Sequence, residues 1–375
     1  MPSRAGTHER RGVSRRAEAA SGDDVRQVCY YARSRDWHFT IASRAMTKAM
    51  TRRRLFELTA ALAASSALAH EVSAQAYPNR TIRLIAPFPA GGGTDSAARI
   101  IAARLSELLG QQVVVDNRPG AGSNIGAEAA ARSAPDGYTL LLGAPPLVIN
   151  RFVYASLNYD SVTDLAPVSL LCRFPNIVAV PVSSPLTSLR AFIDYAKTNP
   201  GKVTYSSPGI GTTPHLSGEL LKRMAGIELV HVPYRGAGAG AITDTIAGRV
   251  DSAINTTGSL LQTVRSGQLR ALAVTTRNRF PTAPELPTIS ESGVPGFDVS
   301  SWYALFVPAK TPAEIIAKLN AATVTALSEP AVRARFEPLG VVVESSTPEE
   351  MGALLQSEID KWGPIIKAAG ISASN

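Results

Sequence analysis

Cysteine, histidine and charge are all scarce in this 375-residue chain. There are two cysteines, Cys29 and Cys172, and five histidines, and Asp, Glu, Lys and Arg together make up 18% of the residues. With no CxxC, no HExxH and only His215 and His231 beyond residue 76, a structural zinc site lacks its ligands, and no metal is expected. Cys172 stands alone after residue 76, so no intrachain disulfide is possible there; a domain with a large enough core does without one. There is no GxxxxGK[ST] phosphate loop and no GxSxG elbow. Nor does a run of Lys and Arg follow Arg54 that could track a nucleic-acid backbone. The net charge of +8 is mostly N-terminal: residues 1–76 hold 13 Lys/Arg against 7 Asp/Glu, and residues 77–375 hold 25 against 23. What the chain has in quantity is hydrophobic residues, 45%, with 29 Gly and 26 Pro. That composition suits a compact two-domain α/β protein and not a disordered chain.

The N-terminal segment reads as an export signal spanning residues 46–76. Thr51-Arg52-Arg53-Arg54 is its basic region, 55–69 its apolar region, and Ala74-Gln75-Ala76 a small-residue cleavage site before Tyr77. The apolar region has 15 residues, short of the roughly 20 that a membrane span requires. Arg53-Arg54-Leu55-Phe56 loosely fits a twin-arginine signal. Residues 1–45 lie upstream of this signal without helical or strand periodicity. They read as a mis-assigned translation start or a disordered tail, with Met46 or Met50 the more natural first residue.

From Tyr77 onward short apolar runs alternate with helical spacing. Strands are predicted at 81–86, 113–115 and 138–142, with helices at 96–109 and 125–133 between them. This β-α-β-α-β order implies a parallel sheet covered by helices. A second unit follows, with strands at 177–180, 203–206, 229–232 and 269–275 and helices at 189–198, 214–224 and 241–246. The C-terminal part has a strand at 302–307, helices at 312–327 and 348–369, and Val341-Val342-Val343 between those helices. Thr311-Pro312-Ala313-Glu314 and Thr347-Pro348-Glu349-Glu350 both carry the pattern of a Thr N-cap, Pro at the first helical position and Glu at the third.

Three strand-to-helix junctions are rich in glycine. The first runs from Ala86 through Phe88 to Gly91-Gly92-Gly93-Thr94-Asp95. Glycines leave backbone N–H groups uncovered, and a helix N-terminus adds partial positive charge, so the loop suits an anion; it also suits a tight turn capped by Thr94 or Asp95. The second, Ser206-Ser207-Pro208-Gly209-Ile210-Gly211-Thr212-Thr213-Pro214-His215, has the same context in the second unit. Ligands of open α/β sheets bind outside the carboxyl ends of strands, so two such loops can face each other across a cleft. His215 is a candidate for contact with a ligand carboxylate, or for capping and packing. The third junction offers Tyr234 as a cleft-lining ring and hydroxyl and Arg235 as a positive charge for an acid, or as a solvated arginine. Gly120-Ala121-Gly122-Ser123-Asn124-Ile125-Gly126 resembles a dinucleotide fingerprint, but its spacing is wrong and Arg118-Pro119 precedes it. No cofactor is expected.

Taken in order, these segments resemble the Bug (TctC-type) substrate-binding proteins of tripartite tricarboxylate transporters. The resemblance rests on Pro87-Phe88-Pro89 through Asp95, on 115–122 and 135–140, and on 207–211 with His215, Leu216 and Glu219. It extends to Val232-Pro233-Tyr234, 267–273, Pro287-Thr288, 293–296 and Trp302-Tyr303, and so covers essentially all of 77–375. It implies a two-lobed periplasmic-binding-protein (Venus-flytrap) fold, type II-like, each lobe a helix-covered, mostly parallel sheet. Lobe one would comprise 77–177 with 300–375, and lobe two 178–299. The implied ligand is a small carboxylate held by backbone amides and ordered water. Carried onto this chain, the contacts are Phe88, Gly92 to Asp95, the Gly143-Ala144 turn, Ser207 and Gly209 to Thr213. Two positions depart from the family pattern: Ala90 where a second Pro is frequent, and Ile210 where Asn is frequent. Ile210 favours an apolar group on the ligand.

The expectation is a monomeric periplasmic receptor without catalysis. It would deliver a small carboxylate to membrane permease subunits of a tripartite tricarboxylate transporter, or to a sensor. The competing expectation is a periplasmic hydrolase using the same cleft, with a Ser–His–Asp triad built on His215 or His231.

Overall fold

The computed structural model describes residues 77–234 and 239–373; the leader segments and Arg235 lie outside the described residues. Strands β1 (Ile82–Ala86), β2 (Val113–Asn117) and β3 (Thr139–Gly143) alternate with helices α1 (Gly93–Leu109) and α2 (Asn124–Ala131). β1 pairs in parallel with both β2 and β3, as the alternation requires. Helix α3 (Pro146–Val153) and the long strand β4 (Leu165–Pro181) follow. Then come α4 (Leu189–Thr198), β5 (Val203–Ser207), α5 (Thr213–Ala225), β6 (Leu229–Pro233), α6 (Ala239–Ile246), β7 (Ser252–Thr256), α7 (Thr257–Arg265) and β8 (Leu269–Val274). β5 pairs in parallel with β6 and β7. The chain closes with β9 (Ser300–Pro308), α8 (Ala313–Ser328), α9 (Pro330–Phe336), β10 (Val342–Val343) and α10 (Pro348–Ala368).

The sheet order is β2-β1-β3-β9-β4-β7-β5-β6, with β8 and β10 also paired to β4. Each half is thus three parallel strands joined to antiparallel ones, and the two halves meet on β4. The first half of β4 pairs with β9 and β10, and its second half with β7 and β8. Two apolar cores belong to the first sheet region, one around Ile82, Leu84 and Leu105 and one around Ile85, Leu141 and Trp302. Two more belong to the second, around Phe192, Tyr205 and Phe297 and around Ile177, Ala253 and Leu260. Helix α10 serves both regions: Met351 and Leu355 pack into the core around Trp302, whereas Trp362 and Ile366 pack beside Phe192.

The structure departs from the sequence reading at identifiable places. β4 has 17 residues rather than the four predicted at 177–180. Pro167 and Pro175 lie inside it and hide the pattern; the pairing with β9 slips register just after Pro167 and again at 170–172, and proline is tolerated at such irregularities and strand margins. Helices α3 and α9 and the β7–α7 unit have no counterpart in the prediction. Thr347 makes the predicted capping box with Glu350. Thr311 does not cap: its hydroxyl donates to the Pro308 carbonyl at 2.7 Å, and the N-cap position of α8 falls on Pro312.

Candidate functional site

A helix that follows a parallel strand starts at the carboxyl edge of the sheet. In this protein four helix starts from the two halves meet at one cavity of about 550 Å³. Gly92, Gly93 and Thr94 open α1 there, and Ala144, Pro145 and Pro146 open α3. From the other half, Thr212, Thr213 and Pro214 open α5, and Thr256, Gly258 and Ser259 open α7. Each helix N-terminus presents unpaired N–H groups and roughly half a positive charge. At α1 and α7 no side chain caps the terminus, so those donors are not consumed by a neighbouring hydroxyl or carboxylate; at α3 Leu147 and Val148 give their N–H groups to the Ala144 and Pro145 carbonyls at 2.8 and 3.0 Å. Pro145 and Pro146 carry no N–H, so α3 contributes its dipole more than its donors. Only α5 has a side-chain cap, from Thr212.

The floor of the cavity is the strand pair β4 and β9. Phe174 and Tyr303 stand there with ring centroids 4.8 Å apart. Thr94 donates its hydroxyl to the Tyr303 phenol at 3.1 Å, and the Thr213 hydroxyl is hydrogen-bonded to that of Ser301. The floor therefore ties the first turn of α1 and the first turn of α5 to one strand. Asn255 also lines the cavity; its side-chain amide oxygen Oδ1 accepts from the Thr256 N–H at 2.8 Å. Apolar lining comes from Phe88, Pro89, Pro208, Leu339 and Val341. No Lys, Arg, His, Asp or Glu is among the described residues that line the cavity. Its positive potential is thus a property of backbone, in a site that pairs hydroxyl donors with apolar surface.

The family described as "Tripartite tricarboxylate transporter family receptor" (TctC) matches residues 97–371. The chain belongs to that receptor family. Protein BugT of Bordetella pertussis is 37% identical over 323 residues, covering 86% of this chain and 99% of BugT. Among solved structures, R. palustris Rpa4515 with adipate superposes with a TM-score of 0.73 at 39% identity, covering 79% of this chain and all of that one. MatC from Rhodopseudomonas palustris with bound malate gives a TM-score of 0.69 at 33% identity, over 77% of this chain and all of MatC. The fold is the two-lobed one of periplasmic binding proteins, and the TctC family is one of solute-binding receptors, not enzymes.

In this TctC receptor, half of the predicted site residues line the cavity: Phe88, Gly92, Gly93, Thr94, Ala144, Thr212 and Thr213. Asp95, Gly143, Ser207, Gly209, Gly211, His215 and Tyr234 do not; they shape the loops from behind. The Asp95 carboxylate accepts from the Gly91 N–H at 2.9 Å, from Asn117 at 3.0 Å and from Arg99 at 3.0 Å. Burial by itself would raise its pKa, and these bonds outweigh burial and lower it. Gly143 accommodates the Phe306 ring: a Cβ there would lie 2.4 Å from the ring edge. Gly211, at φ +77°, turns the second loop so that its N–H donates to His215 Nδ1 at 3.2 Å. Gly209 donates its N–H to the Ser207 hydroxyl at 3.2 Å. Tyr234 gives its hydroxyl to Asp244 at 2.6 Å, and burial, then that bond, pushes its pKa up to about 12.

The Ser207 hydroxyl lies 2.6 Å from His231 Nε2, the geometry of a nucleophile and its base. It is nonetheless fully buried and does not reach the cavity, and among the described residues no carboxylate is hydrogen-bonded to the His231 ring. His231 is stacked between Tyr205, at 4.8 Å, and His215, at 4.0 Å. Burial lowers the pKa of His215 to about 4 and that of His231 to about 3, where proximity of His215 adds to the shift. Both rings are neutral near pH 7 and bring no cation to a ligand. The lining residues absent from the predicted site include the floor residues Phe174, Ser301 and Tyr303, those of β7–α7, Pro145 and Pro146 of α3, and Leu339 and Val341. A signal for β7–α7 existed: Ser252-Ala253-Ile254-Asn255-Thr256 ends in a cap-forming residue, and Leu260, Leu261 and Val264 follow at helical spacing.

Proposed function

We propose that this protein is a periplasmic receptor that captures a small carboxylate in the 550 Å³ cavity and hands it to membrane permease subunits of a tripartite tricarboxylate transporter. The observation that carries this reading is the convergence of four helix N-termini, two from each half, on a cavity whose described lining holds no charged side chain. Partial charges on backbone donors suit an anion that must be released again, because no ion pair has to be broken. The solved relatives with adipate and with malate support a carboxylate. The two lobes would be 77–177 with 300–375 and 178–299, moving about the strands β4 and β9 as hinge. Export through the 46–76 signal, by the general or the twin-arginine route, would place the receptor in the periplasm. A thermal-shift screen of the purified protein against carboxylates, with mass spectrometry of acid retained through purification, tests the reading. An acid present at a hundred times its dissociation constant stabilises the protein by about 2.7 kcal/mol. A melting point unmoved by every acid, with none retained, rejects an anion receptor. Turnover of an ester or amide that is abolished by Ser207→Ala would instead favour a hydrolase.

A further inference from the structure

We propose that Leu339 and Val341 form the specificity wall of the cavity and read the body of the ligand rather than its carboxylate. The proposal rests on the anion-receptor reading and goes beyond it, by assigning the ligand's second recognition element: an aliphatic or aromatic body that reaches this wall. The other lining groups belong to helix starts, to the loops at Phe88 and Pro208, or to strands β4, β7 and β9. Leu339 and Val341 come from the short connection between α9 and β10 and present only aliphatic side chains. A polar or charged ligand end placed against them would lose water without gaining a partner, whereas an apolar one would gain the contact.

The backbone of this connection is held tightly, which makes it a wall and not a flap. The Gly340 N–H donates to the Glu337 carbonyl at 2.9 Å, and Gly340 sits at φ +63°. Val342 and Val343 are paired with Arg173 and Cys172 of β4. On the opposite side the wall is bound to the other half of the molecule. The Thr257 hydroxyl donates to the Gly340 carbonyl at 2.8 Å, and Gly258 approaches so closely that a Cβ on it would lie 2.9 Å from the Leu339 carbonyl oxygen. These two contacts join the wall to the start of α7, so it meets the ligand with α7 beside it. Its two side chains can change without altering an anion donor, because those donors lie on the helix starts.

Isothermal titration calorimetry of the full protein with succinate, adipate and suberate, and with butanoate, hexanoate and octanoate, tests this. Leu339→Ala is expected to move the preference toward longer acids, by about fourfold in affinity for each methylene newly accommodated. Val341→Phe is expected to move it toward shorter ones. Thr257→Val should weaken all bound acids by a common factor and leave their order unchanged, since it loosens the wall without reshaping it. If the Leu339 and Val341 variants melt as the wild type does and keep its order of acids, the wall assignment is wrong and the receptor reading stands. If the wild type binds none of these acids, the carboxylate reading fails and the wall falls with it.

Discussion

Gly143 ends β3 against the buried ring of Phe306, and the next residue, Ala144, is part of the cavity lining. Gly143→Ala forces that ring or the strand to move, at a cost of roughly 1–3 kcal/mol. Both a lower melting temperature and weaker ligand binding are expected, and an unchanged melting temperature would refute the packing argument. The His215–His231 stack acts through pH. Both rings are held neutral by burial, with folded pKa values of about 4 and about 3, whereas in the unfolded chain they titrate near 6.5. Between those limits the unfolded state binds more protons, so stability is complete above about pH 6.5 and falls as the pH drops toward 3. Within that window each ring contributes roughly 1.4 kcal/mol per pH unit. Urea denaturation from pH 7.5 to pH 4.5 measures the slope, and His215→Gln should flatten it. The family resemblance singled out Gly143, and the scarcity of histidine singled out His215 and His231. What they touch was not legible, because Phe306 is 163 positions from Gly143 and His231 is 16 from His215.

Among the elements, the most legible were those whose periodicity and caps agree. α5 and α10 combine an apolar stripe with a threonine cap, whereas α1 has no side-chain cap and starts three residues before the predicted Ser96. Thr347 and Glu350 exchange hydrogen bonds at the start of α10, from Glu350 N–H to the Thr347 hydroxyl at 3.1 Å and from Thr347 N–H to the Glu350 carboxylate at 2.9 Å. Thr347→Ala should cost about 1 kcal/mol, measured by chemical denaturation. The same motif at Thr311 is decoration on a different turn, because its hydroxyl is taken by Pro308: a capping pattern specifies a cap only if the preceding backbone delivers the hydroxyl to the third N–H. β4 and β7 were hard to read for opposite reasons. β4 is apolar almost throughout but punctuated by prolines, which sequence rules treat as strand breakers. β7 is five residues long with polar ends and is buried by its neighbours rather than by its own pattern.

At the scale of the whole molecule, α10 makes the two halves interdependent. Trp362 is fully buried beside Phe192 and Ile366, and its ring N–H donates to the buried Glu358 at 2.9 Å, while Met351 and Leu355 of the same helix serve the other half. Trp362→Ala should cost roughly 3–5 kcal/mol and shift one unfolding transition, seen alike by fluorescence and circular dichroism. Two separated transitions would mean that the halves melt independently. The strand–helix alternation of 81–142 and of 203–232, its parallel cores, the scarcity of charge and the glycine-rich junctions were determined by the sequence alone, because they rest on periodicity and on what glycine leaves uncovered within a few residues. Tertiary structure alone decided which junctions share a cavity. It placed the starts of α3 and α7 beside those of α1 and α5, turned His215 and Ser207 inward, and brought residues 339–341 across to Thr257. Those placements follow from pairing strands far apart in sequence along β4 and β9, and no local pattern carries that register.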